Sequence, residues 1–261
     1  MNSRYHLHYE MTDGRVRTRS LELHVVDHCN LRCWSCYSLS PRLSAFAVTP
    51  EEIQRDLTLV EQVVAPHYVD ITGGEPLLHP DIVGILKAVR TVKLRAIITV
   101  TTNGLLLDKM PEEFWMQIDA LTISIYPKPL LPNHIRLLAY QKAEKYNFVL
   151  DMKKNPTFQT MGRQEPSADE RRNRAVFSSC SWRQSNHMIR DGYFYTCFRP
   201  AHFQTYYGKR IDFTGDGVRL HDGPELSEQI HRYLERSIPL KSCALCMGSQ
   251  GSLKPHRLVS I

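Results

Sequence analysis

Three cysteines, Cys29, Cys33 and Cys36, fall within eight residues in the spacing C-x3-C-x2-C, directly after an apolar run at 21–26 that reads as a short β-strand. In a chain that alternates strands and helices, loops at the carboxyl ends of strands are where sites are built. Three thiolates on one loop are one short of closing a four-iron four-sulfur cluster. One iron then stays open for an exogenous ligand, whereas electron carriers usually close all four. On spacing alone two other readings stand: a zinc site lacking its fourth ligand with His28 as filler, and three unrelated buried cysteines. Zinc usually prefers paired C-x2-C knuckles.

The rest of the first 150 residues does alternate. Thr49-Pro50-Glu51-Glu52 caps and opens a helix carried by Ile53, Leu57, Val60 and Val64. Strands are expected at 68–72, 95–101, 120–126 and 148–153, separated by helices at 80–92, 111–117 and 132–146. This is βα repetition with five units and room for a sixth strand, so the expected class is α/β with a barrel-like sheet. Residues 155–179 read as a loop and a polar helix, 187–190 and 193–197 as a hairpin about Asp191-Gly192, 215–223 as a turn-rich connection, and 225–236 as a helix. The expected organisation is an N-terminal extension 1–20, a barrel 21–179 and a small C-terminal unit 180–261.

Composition sets the outer bounds. With 42% hydrophobic and 23% charged residues, the 261-residue chain is neither disordered, collagenous nor a coiled coil. There is no apolar run of membrane-spanning length, and the first ten residues are polar, so a cytoplasmic chain without signal peptide, anchor or membrane partner is expected. The net charge of +6 is scattered. The dense basic run, Arg171, Arg172 and Arg174, reads as a solvated helix face, and a nucleic-acid partner is not expected. Seven cysteines without a secretion signal are better read as metal or redox ligands than as disulfides.

A second motif follows the second strand: Thr72-Gly73-Gly74-Glu75-Pro76-Leu77-Leu78-His79-Pro80-Asp81. Its glycines let backbone approach a ligand closely, and the Glu75 carboxylate can take an ammonium. C-x3-C-x2-C after one strand and Gly-Gly-Glu-Pro after the next, in a βα-repeating chain, resemble the radical S-adenosylmethionine (SAM) superfamily over about residues 21–153. The resemblance implies a partial (β/α)6 TIM-like barrel in which Cys29, Cys33 and Cys36 hold a 4Fe-4S cluster. SAM would chelate the open iron through its amino and carboxylate groups, with Gly73, Gly74 and Glu75 at the methionyl amine and Pro76 alongside. Thr102 and Asn103, in Thr101-Thr102-Asn103-Gly104, match a pattern common in the superfamily, and Ser124 stands where a ribose contact is often found. The residue before the third cysteine is often aromatic and packs on adenine. Here it is Ser35, with Trp34 or Tyr37 as substitutes. The resemblance further implies SAM cleavage to methionine and a 5'-deoxyadenosyl radical, and an external one-electron reductant such as flavodoxin or ferredoxin.

The remaining cysteines form C-x11-G-x4-C from Cys180 through Gly192 to Cys197, with Cys243 and Cys246 as a C-x2-C pair. Four thiolates close a cluster; a zinc ribbon is the competing reading, though its first pair would be unusually far apart. The layout resembles the twitch form of the SPASM extensions of radical SAM enzymes, which holds one auxiliary 4Fe-4S cluster. In length and cysteine pattern the chain resembles the short twitch-type dehydrogenases that act on aminocyclitols in antibiotic biosynthesis.

Electron counting then favours oxidation. A radical at a carbinol carbon becomes a ketone only by losing a proton and one more electron, which a closed auxiliary cluster can take. Epimerisation needs a hydrogen donor, usually cysteine, and all seven cysteines are assigned. Decarboxylation and other redox-neutral outcomes on a carbohydrate or nucleoside do not call for the second cluster. Peptide maturases commonly carry a leader-binding domain ahead of the barrel, for which about twenty residues are too few. The expected substrate is a small polar sugar or aminocyclitol. Lys153, Lys154 and Tyr126 are candidate bases at strand ends; Tyr195 and Arg199 could orient hydroxyls near the auxiliary cluster. His28 and His79 are read as supporting or surface residues and Asp81 as a helix start. An iron-sulfur electron carrier would not cleave SAM, and a nucleic-acid-modifying enzyme would need a basic face.

Overall fold

The computed structural model describes residues 9–160, 162–207 and 210–259. Strand β1 (Met11–Thr12) turns through Asp13 and Gly14, both at positive φ, into the twelve-residue β2 (Arg15–Val26). Leu21, Leu23 and Val25 of β2 are fully buried in the core beneath the helices, which leaves Glu22 and His24 on the opposite face of the sheet. Helix α1 (Pro50–Val60) starts in a complete capping box, Glu52 N donating to Thr49 Oγ1 at 3.2 Å and Thr49 N to Glu52 Oε2 at 2.8 Å. The alternation continues through β3 (Val64–Gly73), α2 (Ile82–Thr91), β4 (Ile97–Thr102), α3 (Glu112–Met116), β5 (Ala120–Ile125), α4 (Asn133–Tyr146) and β6 (Val149–Lys154). Asp81 caps α2 by accepting from Gly84 N at 2.8 Å, the helix-start role read from sequence.

Two strands are longer than their apolar runs. β2 begins at Arg15 rather than 21, because Val16 and Thr18 alternate with solvent-facing Arg17 and pair with Val64 and Pro66. Val64, expected on the first helix, instead opens β3, since α1 ends at Val60 and Val63–Val64 supply partners for Val16. The segment 155–179 contains the short β7 (Thr157–Gln159) before α5 (Glu170–Ser179). On α5 the basic run is not uniformly solvated: Arg171 and Arg174 are exposed, but Arg172 turns inward and donates to Cys246 O at 2.7 Å.

After α6 (Trp182–Ser185) comes β8 (His187–Arg190), buried along its whole length. It pairs in parallel with β2, Leu21 opposite His187, and so supplies a sixth parallel strand next to the first one instead of after β6. The parallel order is β8-β2-β3-β4-β5-β6, the α/β sheet of a partial barrel. β9 (Tyr193–Tyr195), α7 (Arg199–Tyr207), β10 (Val218–Arg219) and α8 (Leu226–Leu234) follow, with β9 and β10 extending the sheet antiparallel beyond β8. The hairpin that was expected to open a separate appendage is thus built into the barrel sheet. Last, β11 (Leu253–Pro255) pairs with β7. No helix among the described residues is long and apolar enough to cross a membrane.

Candidate active site

The glycine motif closes against the approach to the cysteine loop. Gly74 N donates to Val26 O at 2.8 Å and Glu75 N to His28 O at 3.0 Å. A Cβ on Gly74 would fall 2.0 Å from His28 O, and one on Gly73, at φ +139°, 2.4 Å from Val26 O. Only glycine lets the end of β3 lie this close to the backbone that delivers Cys29. Glu75 then points inward. Its buried carboxylate accepts from Thr102 Oγ1, from Asn103 N at 2.8 Å and from Leu77 N at 3.1 Å, bolting the end of β3 to the end of β4. Three of its roughly four acceptor positions are filled by protein donors, so a SAM ammonium would meet little more than one. Burial pushes this carboxyl up to about 7, against those hydrogen bonds.

Each cysteine sulfur of the loop has a polar partner within hydrogen-bond distance. Leu31 N lies 3.3 Å from Cys29 Sγ, the Ser38 hydroxyl 3.4 Å from Cys36 Sγ, and His256 Nε2 3.2 Å from Cys33 Sγ. Asn103 spans the loop, donating from Nδ2 to Asn30 Oδ1 at 2.6 Å. Burial pushes the Cys29 and Cys33 thiols up to about 12, so iron binding must displace their protons. Among the described residues no three His, Cys, Asp or Glu side chains converge as a single metal ion requires. The cysteines of a four-iron cluster bind separate irons and need no such convergence.

Ser35, at φ +59°, turns the loop and donates to Gln159 O at 2.8 Å. Trp34 N donates to Arg257 O at 2.9 Å, its ring lies 4.9 Å beneath the Arg257 guanidinium, and Val259 N donates to Arg32 O at 2.8 Å. The C-terminal segment therefore clasps the first cysteine loop, and no spacing rule announced that contact. Of the two aromatic candidates for adenine, Trp34 lines a cavity of about 360 Å³ with Cys33 and Cys36. Tyr37 is wedged edge-on between Phe158 and Trp182, with centroids 5.3 and 5.2 Å away.

The sheet face opposite the helices carries Glu22, His24, Asp70, Thr101, Ser124 and Lys153, in register across β2 to β6. Thr101 donates to Asp70 at 2.9 Å, and burial pushes the Asp70 carboxyl up to about 8. Glu22, His24 and His202 form a buried chain with contacts of 3.2 and 2.8 Å. The polar alternation of Glu22 and His24 within 21–26 was the available signal for it. Ser124 and Lys153 pair across β5 and β6, whereas Lys154 falls on the face of Leu150 and Met152, so the two lysines do not point into one space. Tyr126 stacks 4.7 Å from His256 behind Cys33. Burial raises its phenol pKa, which makes it a wall and hydrogen-bond donor rather than a base. His28 lies at the clamp through its carbonyl. His79 is buried, not on the surface, with Nε2 2.6 Å from Val48 O. Tyr195 packs over Gly217. Arg190 forms a buried two-armed ion pair with Asp27, two residues before Cys29.

All four C-terminal cysteines line a single cavity between α5, α6 and residues 240–248, together with Arg183 and Arg199. Gly248 N donates to Cys246 Sγ at 3.2 Å. Cys197 and Cys243 are pushed up by burial first and by the neighbouring cysteines second, which places the four sulfurs within mutual electrostatic reach. This donor set suits a closed four-cysteine cluster.

The sequence model described as the radical SAM superfamily matches residues 23–126. A GTP 3',8-cyclase of Microcystis aeruginosa is 36% identical over 98 residues, covering 35% of this chain and 29% of that protein. One of Streptomyces coelicolor is 37% identical over 97 residues, covering 36% and 28%. The chain thus spans under a third of the length of these curated relatives. The crystal structure of BtrN in complex with AdoMet and 2-DOIA shares the fold over 88% of this chain and 92% of that one, with a TM-score of 0.50 at 15% identity. The glycine clamp and the three-cysteine loop both fall within the match over 23–126, and that stretch, about two fifths of the chain, is similar to the radical SAM superfamily.

Proposed function

We propose that this enzyme oxidises an alcohol to a ketone on a small polar substrate, a sugar or aminocyclitol, and passes the second electron to an auxiliary 4Fe-4S cluster. The observation that carries the reading is the convergence of Cys180, Cys197, Cys243 and Cys246 on one cavity. Four cysteines leave no iron open for substrate, so the cluster they fit can exchange electrons but not coordinate. Cys29, Cys33 and Cys36 hold the other cluster, with Trp34, Asn103 and the glycine turn around SAM. When bound, SAM and that cluster supply hydrogen-atom abstraction.

The chain's own groups supply recognition and proton transfer. Hydroxyl and amine groups meet Ser124, Asp70 and Glu22 on the polar sheet face, and Lys153 receives the hydroxyl proton. An external one-electron donor reduces the first cluster. The 2-DOIA bound by BtrN is a compound to assay first, on the shared fold alone.

Anaerobic reconstitution of the parent beside a Cys29→Ala/Cys33→Ala/Cys36→Ala variant tests this. About eight irons against about four are expected, with SAM cleavage in the parent only, and a ketone formed from one SAM per turnover. One cluster in the parent, or an isomerised product in place of the ketone, refutes oxidation.

A further inference from the structure

The four-cysteine cavity has two buried arginines in its wall and, among the described residues, no carboxylate in its lining. Arg183 is 7% exposed. Its guanidinium lies over the Phe177 ring at 3.8 Å and donates to the carbonyls of Phe177, Leu234 and Arg236, while its Nε has no partner among the described residues. Arg199, 3% exposed, is less satisfied still: neither Nε nor Nη1 has a partner among the described residues. Among the described residues neither arginine forms a salt bridge. The nearby carboxylate, Asp216, is held by the amides of Lys241 and Ser242 at 2.8 and 2.7 Å. Arg199 also lines the cavity bordered by Cys33 and Cys36, so it stands between the two cysteine sites.

A buried guanidinium with idle donors is costly unless an anion completes it. Four thiolates carrying a four-iron cluster are such an anion, and adding an electron makes it more negative. We infer that Arg199, backed by Arg183, raises the reduction potential of the auxiliary cluster and thereby makes it the electron acceptor of the oxidation. The inference rests on the proposed function. In its balance, loss of the carbinol C–H hydrogen atom leaves a carbon-centred radical. That radical gives up its hydroxyl proton to a base and one electron to the oxidised cluster, forming the C=O π bond. A cation in a desolvated wall favours the reduced cluster and speeds that last transfer.

The readout is a potential, measured by anaerobic redox titration with electron paramagnetic resonance detection. It is measured in the full chain carrying Cys29→Ala/Cys33→Ala/Cys36→Ala, where only the auxiliary cluster remains. Arg199→Met is expected to lower the potential by at least a tenfold change in the one-electron equilibrium, about 59 mV, and Arg199→Lys to recover most of it. An unchanged potential in Arg199→Met overturns the inference. If that variant loses iron, Arg199→Gln is read in its place; iron lost from both assigns Arg199 to assembly of the site and also overturns it. Absence of iron from the three-alanine background itself refutes the auxiliary cluster instead, a separate failure.

Discussion

Replacing Glu75 by Gln isolates the electrostatics of the clamp. Oε1 accepts from Thr102 and Leu77, and Oε2 from Asn103 N. In the variant an amide NH2 replaces one oxygen and faces the Asn103 N–H, donor to donor, a pH-independent loss of about 1–3 kcal/mol. The pH-dependent part has the opposite sign. Burial raises the folded carboxyl from 4.5 to about 7, so the folded state holds a proton that the unfolded state has already released. The stability this group contributes is present below 4.5 and lost as pH rises through about 7. At about 1.36 kcal/mol per unit the full span is worth about 3 kcal/mol, roughly 2.5 of it between pH 5 and 8. Gln does not titrate, and every other group, Asp70 included, is common to both proteins. Urea unfolding of the iron-free proteins under reducing conditions at pH 5 and 8 should therefore show the gap between parent and variant moving by roughly 2.5 kcal/mol in favour of Gln at high pH. A gap that stays constant across this range would show that Glu75 is not held as a desolvated carboxyl, and the account of the clamp would fall.

Gly74→Ala drives a methyl into His28 O and should displace the cysteine loop, lowering iron at the first site several-fold while circular dichroism stays close to the parent's. Arg190→Ala leaves Asp27 charged, buried and unpaired, and should cost about 3–5 kcal/mol in denaturant unfolding; Asp27→Asn in the same chain should restore part of it. Lys154→Ala should change stability and turnover by less than about 0.5 kcal/mol, whereas Lys153→Ala should lower kcat by roughly a hundredfold or more if it receives the proton. Equal effects of the two lysine variants would refute the face assignment.

What was legible in the sequence was local. The strand–helix alternation, the Thr49 and Asp81 caps and the three-cysteine loop depend on neighbours within a turn or two, and they stand where the residues put them. The missed features are long-range. The pairing of β8 with β2 joins residues 187–189 to 21–23, and the His256–Cys33 contact spans 223 positions. Neither has a periodicity. Glu75 shows a subtler limit. Its carboxyl was read as a ligand group because of its motif, but the loop that follows folds three donors onto it, and hydrogen-bond satisfaction within the protein cannot be read from spacing.

The clasp of residues 256–259 on the first cysteine loop bears on how the molecule is made. Emerging from the ribosome, Cys29, Cys33 and Cys36 come early, yet Cys33 and Trp34 meet their partners only after the four-cysteine cavity has been synthesised. β2 is in the same position, since the edge at residues 21–23 stays open until β8 arrives. A chain stopped after residue 179 would hold the whole three-cysteine loop but neither the clasp nor the closing strand. The two cysteine sites are thus consecutive in sequence but mature together, and a truncation far from the first site removes part of its wall.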